Sequence, residues 1–79
     1  MYKVECTVRQ SLSFNHTVDV CETYKFHNGF DAWAQFVKWG DDCLENGYEA
    51  ELVMWENGEI RYMYIFSEGE REVVTSPLD

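Results

Sequence analysis

Three Asn-Gly pairs, at 28–29, 46–47 and 57–58, constrain this chain more than any other feature. Asn-Gly supplies positive backbone φ at low cost, so each pair marks a turn or a helix cap. The last pair is the most specific. It lies in Trp55-Glu56-Asn57-Gly58-Glu59-Ile60, between two segments rich in β-branched and aromatic residues. That pattern predicts a two-residue type I′ hairpin. Trp55 then opposes Ile60. With no interruption in the ladder, Val53 opposes Tyr62, Glu51 opposes Tyr64 and Glu49 opposes Phe66 on the same side of the sheet. The other side pairs Ala50 with Ile65, Leu52 with Met63 and Met54 with Arg61.

Periodicity places the remaining elements. Residues 2–9 alternate, with Tyr2, Val4, Cys6 and Val8 on one side, as in a half-buried strand. Residues 16–26 repeat the alternation through Val18, Val20, Tyr24 and Phe26. Glu22 shares their parity, so it either lies beyond the core edge or sits beside a bulge. Gln10–Asn15 reads as the loop joining the two strands. Residues 30–45 switch to helical spacing. Phe30, Trp33, Ala34, Val37 and Leu44 form the apolar stripe, opposite Asp31, Gln35, Lys38, Asp42 and Glu45. Asn28 is a favourable N-cap and Gly47 a favourable residue just past the helix end. Gly40 either weakens the middle of this helix by about 1 kcal/mol relative to Ala or ends it, with Asp41 recapping a last turn. A short strand over residues 70–74 follows a Glu68-Gly69 turn, and Pro77 ends regular structure.

The expectation is a single α+β domain over residues 1–79. It has one antiparallel sheet in the order β-β-α-β-β, a short fifth strand, and one helix packed across one face. The aliphatic side, with Leu52, Met54, Met63 and Ile65, suits packing under Trp33, Val37 and Leu44. The side with Trp55, Tyr62, Tyr64 and Phe66 is then left uncovered, and a monomer seldom exposes a large apolar patch without a use for it.

Charge adds a second asymmetry. Residues 1–40 hold four acids (Glu5, Asp19, Glu22, Asp31) and four bases (Lys3, Arg9, Lys25, Lys38). Residues 41–79 hold eleven acids against Arg61 and Arg71, so the whole formal charge of −9 arises there. Asp41, Asp42 and Glu45 oppose the helix dipole at its C-terminal end, which favours a functional reason for their presence. With few bases and many glutamates, direct nucleic-acid binding is disfavoured, because phosphate contacts need Lys and Arg.

Catalytic and metal-binding signatures are weak. Cys6, Cys21 and Cys43 form no C-x-x-C, and His16 and His27 lack paired metal-ligand spacing. The acidic run from Asp41 to Glu49 lacks the alternating ligands of a calcium loop. A reactive thiolate needs a nearby base, which none of the three cysteines has in sequence, and a negative field raises thiol pKa. One small core leaves little room for a substrate cleft. No enzyme activity, metal or cofactor is expected. The odd cysteine count, the lack of an apolar leader at the N-terminus and the lack of a membrane-length apolar run suggest a cytoplasmic protein with reduced thiols.

The function expected is therefore binding. In size, acidity and aromatic content the chain resembles the small acidic proteins of phages and mobile elements that occupy the nucleic-acid groove of a host enzyme. That resemblance implies a counter-defence inhibitor whose carboxylates imitate duplex phosphates, acting in the host cytoplasm on a basic, nucleic-acid-binding protein. The residues expected to carry it are Asp41, Asp42, Glu45, Glu49, Glu51, Glu56 and Glu59, with Trp55, Tyr62, Tyr64 and Phe66 as apolar anchors. The alternative is an assembly protein that forms a homodimer through the aromatic sheet face.

Overall fold

A computed structural model describes residues 1–75, and Pro77 lies outside the described residues. The elements are β1 (Tyr2–Ser13), β2 (His16–Phe26), α1 (Gly29–Asn46), β3 (Glu49–Glu56), β4 (Glu59–Ser67) and β5 (Glu70–Thr75). The strands form one antiparallel sheet in the order β2-β1-β3-β4-β5, and α1 crosses one face. This is the expected α+β architecture with its fifth strand present.

Element lengths explain the topology. From Tyr2 to Arg9, β1 pairs with Glu56 to Glu49 of β3, a span of roughly 26 Å at 3.3 Å per residue. The 18 residues of α1 span about 27 Å at 1.5 Å each. The helix therefore starts beside Tyr2, runs the length of the sheet and delivers the chain to the far end, where β3 begins.

Both helix ends are capped as the Asn-Gly pairs predict. The Asn28 side chain accepts a hydrogen bond from the Phe30 N–H at 2.7 Å. At the other end Gly47 is left-handed at φ 66°. The Tyr48 N–H donates to the Cys43 carbonyl at 3.1 Å, and the Gly47 N–H donates to that of Leu44 at 3.3 Å. Those two bonds form a Schellman cap. Asn57 and Gly58 take φ of 52° and 84°, as the type I′ hairpin requires.

One bulge changes what that hairpin presents. Trp55 opposes Ile60, but Met54 opposes Tyr62, Leu52 opposes Tyr64 and Ala50 opposes Phe66. Arg61 is the extra residue. The uninterrupted register would have aimed Arg61 at the core beside Met54, and an unpaired buried charge is costly. The bulge frees Arg61, whose Nε donates to Glu56 Oε1 at 2.9 Å. It also turns Tyr62, Tyr64 and Phe66 beneath the helix. The expected faces of β4 are thus exchanged: Met63 and Ile65 lie on the open face, and the tyrosines and Phe66 on the helix side.

The helix differs as well. Its buried residues are Ala32, Phe36, Gly40 and Cys43, which places the core face roughly a third of a turn from the expected stripe. Phe30 is 79% exposed, and Trp33 and Val37 are 40% exposed. Small residues decide the outcome. Ala32, Gly40 and Cys43 let the helix approach the sheet closely, and a full core of Phe36, Phe66, Leu52 and Val4 fills the remaining space. Gly40 neither ends nor breaks α1. A Cβ there would stand 3.6 Å from Phe66 Cζ and 3.7 Å from Leu52 Cδ2, ordinary van der Waals distances. Gly40→Ala is therefore expected to stabilise the domain by up to about 1 kcal/mol. Thermal denaturation would show this as a rise of roughly 4–8 °C.

The first hairpin is longer than expected. Gln10–Ser13 continues β1, and the turn is reduced to Phe14-Asn15. Ser11 pairs with Thr17 and Ser13 with His16, with a one-residue bulge between them. Because β3 pairs with β1 only as far as Arg9, residues 10–18 project past the sheet as a two-stranded arm. Glu22 keeps its parity without a bulge in β2 and lies exposed, beyond the core edge.

Candidate protein-binding surface

The topology sorts the acidic residues to the ends of the molecule. Asp41, Asp42 and Glu45 lie in the last turns of α1, Glu49 and Glu51 at the start of β3, and Glu68, Glu70 and Glu72 around the β4–β5 turn. All are exposed, and register and helix direction bring them to the same end. Arg9 is the base among them on the open face, held between Asp19 at 3.6 Å and Glu49 at 3.8 Å. Arg71 lies on the helix side, its guanidinium 4.9 Å from the centre of the Tyr64 ring. Glu56 and Glu59 are placed elsewhere. They flank the opposite hairpin turn, and Glu56 is already paired with Arg61.

The expected aromatic anchors separate in the same way. Phe66 is 2% exposed and belongs to the core. Tyr64 is half-buried, its ring 4.8 Å from Phe36. Tyr62 remains 43% exposed and packs against Trp33, with ring centroids 5.0 Å apart. Trp55 lies on the open face of the sheet under Lys3, whose Nζ is 4.7 Å from the ring centre. Its Nε1 is buried without a hydrogen-bond partner. Trp55 therefore shares no patch with the tyrosines. The four rings do not form one uncovered face of the sheet.

A different surface replaces it. Phe30, Trp33 and Val37 follow one another along the solvent side of α1, with Tyr62 beside Trp33. Helical spacing continues the same ridge through Asp41 to Glu45. The ridge is apolar over its first two turns and anionic over its last two. Sequence reasoning placed Phe30, Trp33 and Val37 in the core because apolar residues occupy two overlapping stripes of this helix. The available signal was the smallness of Ala32, Gly40 and Cys43 on the competing stripe.

Two concavities accompany these surfaces. A trough of about 400 Å³ lies on the open face at the acidic end, lined by Thr7, Arg9, Asp19, Glu49, Glu51 and Ile65 among others. A groove of about 240 Å³ lies on the helix side, between α1 and strands β1 and β2. Its walls include Val8, Val20, Trp39 and Tyr48, with Glu22 and Asp42. Cys6 and Cys43 also line it, and both are buried. A hydrogen bond with Cys43, reinforced by burial, pushes the Cys6 thiol up. The same bond draws Cys43 down, opposed by burial and by Asp42. Cys43 is 3% exposed. Among the described residues, no group of three His, Cys, Asp or Glu side chains could hold a metal ion, and no helix is long and apolar enough to cross a membrane.

Compared with protein-family models, curated proteins and solved structures, the chain matches none.

Proposed function

We propose that this chain is a non-catalytic binding module. It docks the α1 ridge and the adjoining acidic end onto a basic, nucleic-acid-binding surface of another protein, in the manner of an inhibitor or modulator. The observation that carries this reading is the ridge itself. Exposed large rings (Phe30, Trp33 and Tyr62) adjoin a run of carboxylates that few bases accompany. Aromatic anchors beside an electrostatic rim are the usual anatomy of a protein interface. Concentrated charge of one sign chiefly speeds encounter with the opposite sign. Carboxylates spaced along a helix and sheet edge are suited to standing in for backbone phosphates in such a groove.

The test is capture of partners on tagged protein from its source cells, with the captured protein then bound to purified chain across a salt series. Affinity should fall steeply with salt, and duplex nucleic acid should compete. Trp33→Ala should weaken binding by about 30-fold, the equivalent of a 2 kcal/mol hot spot. Asp41→Lys with Glu45→Lys should weaken it further. Glu56→Lys with Glu59→Lys should change it little, because those residues lie at the other end. Salt-insensitive binding, or binding indifferent to both Trp33 and Asp41, would overturn the reading.

A further inference from the structure

The arm and its neighbouring edge point to a second partner surface, separate from the α1 ridge. Phe14, at the arm tip, is 98% exposed. Residues 10–18 contain no charged side chain, counting His16 as neutral. No other uncharged stretch of the chain is as long. Beside the arm, β2 is an edge strand with one side of its backbone unpaired, and no proline blunts it. The groove walled by Val8, Val20, Trp39 and Tyr48 opens on the helix side of this same edge.

We propose that a second copy of this chain pairs with β2 across a two-fold axis through Val18, and that each subunit seats Phe14 in the other's groove. Antiparallel pairing centred on Val18 sets Thr17 opposite Asp19 and His16 opposite Val20. Just beyond the paired strands it brings Phe14 level with Glu22 of the partner subunit, beside the groove. A two-fold axis perpendicular to the sheet keeps both helices, and with them both grooves, on one side of the joined sheet.

Charge selects a second copy as the occupant. Two molecules of net charge −9 repel one another over most of their surfaces, and only an uncharged patch lets them touch. In this register no acid of one subunit faces an acid of the other, whereas centring on Asp19 would oppose two carboxylates. Area sets the strength. Each buried Phe removes about 150–250 Å², and the short paired edges bring the total to the order of 900 Å². That falls short of the roughly 1,200 Å² at which standard specific interfaces begin, so the dimer is weak and concentration-dependent.

Sedimentation of the purified full chain tests this without any other protein. The weight-average mass should rise from monomer towards dimer over about 1–100 µM, consistent with micromolar affinity, and the rise should persist in high salt. Phe14→Glu should hold the protein monomeric. The side chain touches nothing in the monomer, so the fold should be retained by circular dichroism; if it is not, Phe14→Ser provides the same reading. In a Cys21→Ser background, Val18→Cys should form a symmetric disulfide on mild oxidation, because facing residues on paired strands bring their Cβ atoms within about 4.5–5.5 Å. Adding Phe14→Glu should suppress that cross-link. A monomer at every concentration, or a dimer that survives Phe14→Glu but is lost with Trp33→Glu, would overturn the proposal.

Discussion

Replacing Phe66 with Asp is expected to unfold the domain, whereas Ile65→Asp leaves it folded. The contrast follows from the Arg61 bulge. Phe66 is 2% exposed beneath α1, 3.6 Å from where a Gly40 Cβ would lie. The facing residue on β5 is Arg71, but it is exposed and stacked on the Tyr64 ring. No charged or polar residue is buried in the described core, so a carboxylate there is desolvated without a buried counter-charge. An unpaired buried charge costs more than about 4 kcal/mol unless it takes up a proton. A domain of this size holds only about 4–12 kcal/mol in total. Ile65 faces the open side opposite Glu51 and Glu72 and is half-buried. Its aspartate keeps water contact, and the loss is on the order of 1–2 kcal/mol. An uninterrupted hairpin predicts the reverse ranking. Urea denaturation followed by near-ultraviolet circular dichroism of the two variants therefore reads the register directly.

Phe36→Ala is the second large effect. The ring is fully buried and meets Tyr64 at 4.8 Å, Trp33 at 5.6 Å and Tyr62 at 6.0 Å. Truncating a buried Phe costs about 3–5 kcal/mol, the cavity included, and each kcal/mol lowers the melting temperature by roughly 4–8 °C. Trp33 and Tyr62 rest on this ring, so the same substitution should loosen the exposed ridge. Binding should fall along with stability, with a change in tryptophan emission. Phe30→Ala is the matched control. With 79% of Phe30 exposed, its removal should shift stability by no more than about 0.5 kcal/mol. Thermal denaturation of the pair distinguishes the observed core face of α1 from the stripe that periodicity favours.

Legibility followed the kind of physics each feature depends on. The I′ turn at Asn57-Gly58, the Asn28 cap and the Gly47 terminator were readable because backbone sterics and local hydrogen bonds decide them within a few residues. The parity of β1 and β2 was readable for a similar reason, since Lys3, Glu5 and Arg9 alternate with apolar partners. The segment Tyr62-Met63-Tyr64-Ile65-Phe66 was not, because it is apolar at both parities and alternation cannot choose a face. The same ambiguity hid the helix face, where Phe30, Trp33 and Val37 compete with Ala32, Phe36 and Trp39. Of the expected site, Asp41, Asp42, Glu45, Glu49 and Glu51 lie at one end of the molecule, the first three on α1 and the last two on the open face of the sheet. The expected companions Trp55, Tyr64, Phe66, Glu56 and Glu59 are dispersed by one inserted residue and by the length of the sheet.

Element order, the helix caps, the Asn57-Gly58 turn and the concentration of negative charge in the second half were all legible before any packing is considered, because each depends on local sterics or on composition. Tertiary packing alone decided which rings are sealed and which are presented. The close approach of α1 over Ala32, Gly40 and Cys43, and the need to keep Arg61 out of an apolar core, are long-range conditions that no periodicity within a single segment encodes.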